Sequence, residues 1–475
     1  MTALVGIDVG TSGVKALAVS ETGEVLARAE FGYGLSTPRP GWAEQDPDDW
    51  REATEQALEA LGVRKIAGIG LSGQMHGLVA LDATGEVIRP AILWNDQRTA
   101  AECREIEERV GFERLVELTG NRALTGFTAP KLLWLRNHEP ESYARIDSVL
   151  LPKDYVRRWL CGEHAIDVAD ASGTLLFDVA RRRWSDEVLD ALEIPREWLP
   201  RVLESHEVSG RTSDGVPVAA GAGDQAAGAL GVGAIAPGPA SVVLGTSGVV
   251  FSALDAYRAD PKARVHVFCH AVPGRWHAMG VMLSAAGSLQ WFHDRLAPDA
   301  DYAALFAEAE RWEPGAEGLT FLPYLAGERT PHADPDARGA FAGLTLRHDR
   351  GALTRAVLEG VAFGLRDCLD VVREVGAAPE VGRASGGGAR SELWLRIVAS
   401  ALELPMERLA VEEGAAYGAA LLGGIAGGLW RDAEEAVSAC VRPRGRVDPE
   451  PRWVGAYREQ GERFRALYPA LHDIP

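Results

Sequence analysis

Lysine is almost missing from this chain: of 49 basic side chains only Lys15, Lys65, Lys131, Lys153 and Lys262 are lysines. No glycine-rich loop ends in Gly-Lys-Ser or Gly-Lys-Thr, so the P-loop solution to phosphate binding is excluded. Positive charge is short as well. The 68 acidic side chains leave a formal net charge of −19, which argues against nucleic acid or an anionic membrane surface as a partner. A phosphate-bearing ligand would have to be held chiefly by backbone amides and a divalent cation. The cysteines, at 103, 161, 269, 368 and 440, form no C-x-x-C pair, a pattern expected of reduced thiols in a cytoplasmic protein. The first residues lack a basic region followed by an apolar run, so no secretion signal is expected. Two uncharged stretches, 225–254 and 414–430, could imitate membrane spans. The first is interrupted by Pro237, Pro239 and many glycines, and the second is short and glycine-rich, so both are expected inside a soluble core.

What is abundant is glycine in strand-turn-strand settings. Residues 4–20 form two β-rich runs around Gly10-Thr11-Ser12-Gly13, and Thr22-Gly23 turns into a third run. Gly-Thr-Ser-Gly-Val recurs at 245–249, again between β-rich runs and about half the chain away, which points to a duplicated domain. Helical patterns alternate with the strands and predict α/β domains with mixed sheets. The Pro- and Gly-rich segment 234–239 marks the boundary, giving domains 1–235 and 236–475. Helices are expected over 99–110, 130–137, 154–161, 284–296, 351–374, 391–402 and 415–422, with one beginning at Asp46-Pro47.

Four elements carry chemistry. In the first hairpin, Gly10, Thr11 and Ser12 can present amides and hydroxyls to phosphate oxygens, while Asp8 at the strand end can reach Mg²⁺. One such hairpin alone is more simply an ordinary turn; its recurrence at Gly245, Thr246 and Ser247 favours a nucleotide clamp. Gly386, Gly387 and Gly388 leave flat backbone for an adenine or ribose before a helix N-terminus, or else are a flexible loop. Asp224, where a strand passes into a helix, can accept a proton from a bound hydroxyl, or can merely cap the helix. Gln74, Met75 and His76 suit sugar hydroxyls, against the simpler alternative of a structural histidine. Gly68-x-Gly70-x-x-Gly73 and Gly221-x-Gly223-x-x-Ala226 are weak dinucleotide fingerprints, and His266, Cys269, His270 and His277 fit no standard zinc spacing. Lys15, Lys131 and Lys153 fall in notable segments, which suggests a local reason for each.

Taken together, 42–47 (Trp-Ala-Glu-Gln-Asp-Pro), 72–77 (Ser-Gly-Gln-Met-His-Gly), 92–96 (Ile-Leu-Trp-Asn-Asp), 126–135, 151–155 (Leu-Pro-Lys-Asp-Tyr), 325–332 (Leu-Ala-Gly-Glu-Arg-Thr-Pro-His) and 386–392 resemble the FGGY carbohydrate kinases in order and spacing. The resemblance runs from the Asp8 hairpin to about residue 430. It implies two ribonuclease H-like domains of the actin and heat-shock ATPase type, closing an inter-domain cleft around ATP and a sugar. It further implies Asp224 as general base, Asp8 and Asp224 beside Mg²⁺, and Met75, His76 and Asp224 on the sugar. ATP would be held by Gly10, Thr11, Ser12, Lys15, Gly245, Thr246, Ser247, Gly386, Gly387 and Gly388. The expected substrates are ATP and D-xylulose, phosphorylated at its 5-hydroxyl, with homodimer assembly left open. Another ketose, a polyol or a sugar acid is the alternative within the class; an actin-like conformational ATPase is the alternative outside it. Gln225, where relatives often have asparagine, and Ala352, where a polar residue is usual, are the departures. Residues 431–475 carry no usable motif.

Overall fold

The computed structural model describes residues 2–472. Two seven-stranded mixed sheets share the order and direction of six of their strands. In the first, Ala3–Val9, Gly13–Val19 and Val25–Gly32 form an antiparallel meander, and Ile66–Gly73 lies parallel to Ala3–Val9 on its other side. Pro217–Ala219 continues the parallel order, with Val208–Arg211 at the edge. The second sheet repeats this. Pro239–Leu244, Gly248–Leu254 and Trp276–Met282 form the meander, with His266–Cys269 outside it, and Val381–Ser385 then Met406–Leu409 add in parallel. Both Gly-Thr-Ser-Gly turns therefore join the first two strands of equivalent meanders, which accounts for the half-length repeat.

The helix Pro47–Leu61 illustrates how locally the elements are specified. Asp46 accepts a hydrogen bond from the Asp48 N–H, Pro47 occupies the first turn, and Gly62 ends the helix in the left-handed region at φ 64°. The expected helices appear, several of them longer or shorter by a turn or less: Ala100–Val110, Thr128–His138, Pro152–Cys161, Ala286–Leu296, Arg350–Glu374, Glu392–Leu402 and Ala415–Ala426.

The helix Ala415–Ala426, reached through the second half, lies on the first sheet. Gly68 and Gly70 face it so closely that an added Cβ would stand 1.9 Å from the carbonyl oxygens of Gly423 and Ala419 respectively. On its other side Gly418 meets the helix Asp224–Gly231, where a Cβ would come within 1.8 Å of the Ala227 oxygen. The Gly68 and Gly70 spacing thus serves helix-on-sheet packing and not a pyrophosphate; both residues lie inside the strand Ile66–Gly73. Residues beyond 430 are also structural: Pro443–Val447 closes the edge of the second sheet, and Pro451–His472 buries Tyr457 and Phe464 against that half. Among the described residues no helix is long and apolar enough to cross a membrane, and 225–254 and 414–430 contribute helices and strands to the core.

Candidate active site

Three strand ends converge at the site. Ser72 pairs across the sheet with Asp8 on one side and, through the short strand Ala222–Gly223, with Ala222 on the other. The chain then enters the helix Asp224–Gly231 with Asp224 as its first residue. The Ser72 hydroxyl donates to Asp8 Oδ1 at 2.7 Å. Burial, and next the charge of Asp8, raise the Asp224 carboxyl to about 7, against smaller opposing hydrogen bonds from Gln225. Burial also raises Asp8, while Ser72 and the Lys15 charge oppose it. Two hard carboxylates that repel each other form a donor set suited to a divalent cation such as Mg²⁺.

Asp224 opens onto a cavity of about 200 Å³ whose lining also includes Met75, His76, Trp94, Phe127, Ser247, His266 and Arg329. That volume falls below the ~300–1,000 Å³ usual for drug-sized ligands and fits a small polar metabolite between apolar walls. Residues from both halves form it. His76 is held in the left-handed region at φ 69°, which a non-glycine residue adopts only when its surroundings impose it. Lys131 Nζ, 2.8 Å away, and the Thr128 hydroxyl, 3.1 Å away, both donate to the His76 carbonyl oxygen, and Lys131 also donates to the Gly126 oxygen at 2.6 Å. The His76 Nδ1–H donates to the Gly173 oxygen at 2.7 Å, while burial lowers the imidazole to about 3. His76 is therefore neutral, with Nε2 as an acceptor for a hydroxyl.

Lys153 gives the other lysine its reason. It is fully buried with Asp154, Asp167 and Asp170 at 2.6, 2.7 and 2.9 Å. This cluster underlies the turn into Asp224: a Cβ on Gly223 would stand 2.8 Å from Asp170 Oδ1, and one on Gly221 would stand 3.4 Å from Lys153 Cε. Lys131 and Lys153 thus brace His76 and Asp224 from behind. Lys15 is held differently, since Glu413 takes its ammonium at 2.6 Å.

The first hairpin turn is tied to the cavity through Trp94, whose indole N–H donates to Thr11 Oγ1 at 2.9 Å. Tyr33 and Gln74 both donate to the Gly10 carbonyl, and Gln45 donates to that of Thr11. These bonds occupy turn carbonyls and leave Ser12 at the open tip. In the second hairpin, the amides of Ala285, Ala286 and Gly287 donate to the Thr246, Gly245 and Thr246 oxygens at 2.8, 2.8 and 3.1 Å. The 386–388 loop abuts this hairpin: a Cβ on Gly386, at φ 86°, would lie 2.6 Å from the Leu244 oxygen. Gly387 has nothing within 4 Å of that position and faces open space. Three of the histidine and cysteine cluster are spent inside the core or wall: His266 Nδ1–H donates to Asn121 Oδ1, His270 bonds the Ala234 oxygen, and His277 stacks on Phe251. No group of three or more His, Cys, Asp or Glu side chains placed to hold a metal ion occurs among the described residues.

Trp94, Phe127, His266 and Arg329 were not singled out by sequence reasoning as lining residues. Three of them lay inside motifs that carried the family resemblance, at 92–96, 126–135 and 325–332, and that position was the available signal.

Comparisons with known proteins agree with this architecture. The model for the FGGY family of carbohydrate kinases, N-terminal domain, matches residues 3–231, and that for the C-terminal domain matches 240–427. The chain belongs to the FGGY family of carbohydrate kinases. It is 44% identical over 481 residues to a xylulose kinase of Escherichia coli strain K12, covering 98% of this chain and 99% of that protein. A solved structure titled as a xyloylose kinase from Brucella ovis superposes with a TM-score of 0.94 at 43% identity, covering all of both chains. A gluconate kinase from Lactobacillus acidophilus superposes with a TM-score of 0.95 at 26% identity, covering 100% of this chain and 99% of that one.

Proposed function

We propose that this protein transfers the γ-phosphoryl group of ATP to the 5-hydroxyl of D-xylulose, as a cytoplasmic enzyme. The observation that carries the proposal is Asp224: a carboxyl raised to about 7, opening onto a small cavity shared with Met75, His76 and the Ser247 hairpin. Such a group is basic enough at neutral pH to take a proton and is placed where a sugar hydroxyl would sit. Asp224 accepts the hydroxyl proton as that oxygen bonds to phosphorus, and the bond from phosphorus to the bridging oxygen of ADP breaks. Met75 and His76 orient the sugar, with the neutral His76 Nε2 accepting from a hydroxyl. In the turn Gly10-Thr11-Ser12 the Gly10 N–H already donates to the Gly13 oxygen, so the Thr11 and Ser12 amides and the Ser12 hydroxyl hold phosphate there, the Gly245, Thr246 and Ser247 turn holds phosphate from the other side, and the Gly386 to Gly388 backbone takes the nucleoside. Asp8 and Asp224 would hold Mg²⁺, which supplies charge neutralisation on the phosphate oxygens. The identity to xylulose kinases over nearly the whole chain supports the choice of sugar.

A sugar-acid kinase is the second reading, favoured by the Arg329 guanidinium in the cavity wall and by the gluconate kinase likeness. A coupled ADP-release assay over D-xylulose, D-ribulose, glycerol and D-gluconate decides between them. D-xylulose should give the highest kcat/KM; a clear preference for another sugar refutes the proposal.

A further inference from the structure

We infer that Arg329 is the residue from the second half that recognises the oxygen-rich end of the sugar, the C1 hydroxyl and C2 carbonyl, opposite the hydroxyl that is phosphorylated. The inference deepens the proposed sugar-kinase reading and rests on it.

Arg329 lines the cavity shared with Asp224, and it also lines a second cavity of about 550 Å³ between the halves, bordered by Gln97, Leu124, Arg264 and Glu328. It therefore stands in the partition between the two. Its position is fixed by the loop around it. Glu328 Oε1 accepts from the N–H groups of Arg329 at 2.7 Å and Leu283 at 3.0 Å. The Thr330 hydroxyl donates to the Arg264 oxygen at 2.8 Å and accepts from the Val281 N–H at 3.1 Å.

No carboxylate pairs with this guanidinium among the described residues. Its one side-chain partner is neutral: Nη1 donates to His266 Nε2 at a long 3.4 Å, and the opposite nitrogen of that ring is engaged by Asn121. Burial pushes the neighbouring Glu328 carboxyl up to about 8, so it carries little charge at neutral pH, and its Oε2 has no hydrogen-bond partner. A largely buried arginine with spare donors and no carboxylate in ion-pair contact is unusual, because the charge of the adjacent Glu328 offsets its desolvation only in part. A ligand with acceptor oxygens in the cavity supplies what is missing.

The cavity's polar groups fall into two sets. Asp224, Gln225 and Ser247 accompany the phosphate hairpins, whereas His76, His266 and Arg329 form the other set, with the Arg329 charge acting on both imidazoles. A five-carbon ketose with its 5-hydroxyl at Asp224 brings its carbonyl and C1 hydroxyl to the second set. Since His76 comes from the first half and Arg329 from the second, a sugar bridging them also holds the halves together.

The test compares wild type, Arg329→Met and Arg329→Lys on D-xylulose and on 1-deoxy-D-xylulose. Loss of a charged hydrogen bond predicts a KM for D-xylulose raised roughly 10- to 100-fold in Arg329→Met, with KM for ATP unchanged and kcat little altered. Arg329→Lys should recover part of the loss. The preference of wild type for D-xylulose over the 1-deoxy sugar should shrink toward unity in Arg329→Met. Equal losses on both sugars, a change confined to ATP, or no change overturns the inference. If wild type instead prefers a different sugar, the substrate proposal falls, and the same ratio on that sugar and its C1-deoxy analogue still decides the role of Arg329.

Discussion

Replacing Asp224 by asparagine separates the two consequences of placing a carboxylate where it is. The side chain keeps its shape and loses both its basicity and its charge. Removing a general base lowers kcat by roughly 10²- to 10⁴-fold, with KM for ATP little changed. Stability should move the other way. The carboxyl titrates near 7 in the folded chain against 3.8 for an unperturbed aspartate. Between those values the folded state keeps a proton that the unfolded state has released, so stability declines as pH rises through this window and is level above it. The span corresponds to ~4 kcal/mol at about 1.36 kcal/mol per pH unit, and screening at the open side of the cavity reduces it to roughly 2 kcal/mol. Asp224→Asn should therefore melt higher than wild type at pH 8, with the gain shrinking toward pH 5. Thermal melts at three pH values, paired with a coupled assay, provide the check. A variant less stable than wild type at pH 8, or one with near wild-type turnover, refutes the reasoning.

Asp8→Asn removes the charge that helps to raise Asp224, so the Asp224 titration followed by carboxyl ¹³C NMR should move below 7, and more Mg²⁺ should be needed for half-maximal rate. Gly387→Ala should leave the unfolding free energy within ~0.5 kcal/mol of wild type, because its added methyl meets open space, while raising KM for ATP; an unchanged KM would take the loop away from the nucleotide. Gly70→Ala drives a methyl into the Ala419 carbonyl and should cost about 1–3 kcal/mol or more in urea unfolding, whereas a neutral result would contradict the tight helix-on-sheet contact. Lys153→Met strands the buried Asp167 and Asp170, leaving Asp154 its Arg157 pair, and should cost about 3–5 kcal/mol by the same measurement.

Local signals and long-range placement were legible to different degrees. The Gly-Thr-Ser-Gly repeat, the Asp46-Pro47 helix start and Asp224 at a strand-helix junction are written in adjacent residues, and these features are where they were expected. The destination of Ala415–Ala426 was not legible. Its composition announces a buried helix, but a run of small residues does not say which sheet it covers, and its partners Gly68 and Gly70 lie about 350 residues earlier. Those glycines imitated a dinucleotide fingerprint because a phosphate and a helix backbone both require the same missing side chain. Scarce lysine was a sound clue with a different meaning: Lys131 and Lys153 support His76 and the Asp224 turn from beneath. Arg329 stayed hidden among 44 arginines, since its distinction is a place in the cavity wall with no carboxylate in ion-pair contact among the described residues, which only the folded chain reveals.

The central claim is that sugar and ATP meet at Asp224, and the most direct measurement is proton-coupled ³¹P NMR of the wild-type reaction with ATP, Mg²⁺ and D-xylulose. The account predicts ADP and a phosphomonoester resonance split as a triplet by the two C5 protons, formed only when sugar is present and formed roughly 10²- to 10⁴-fold more slowly by Asp224→Asn. Inorganic phosphate released at the same rate with or without sugar would contradict it.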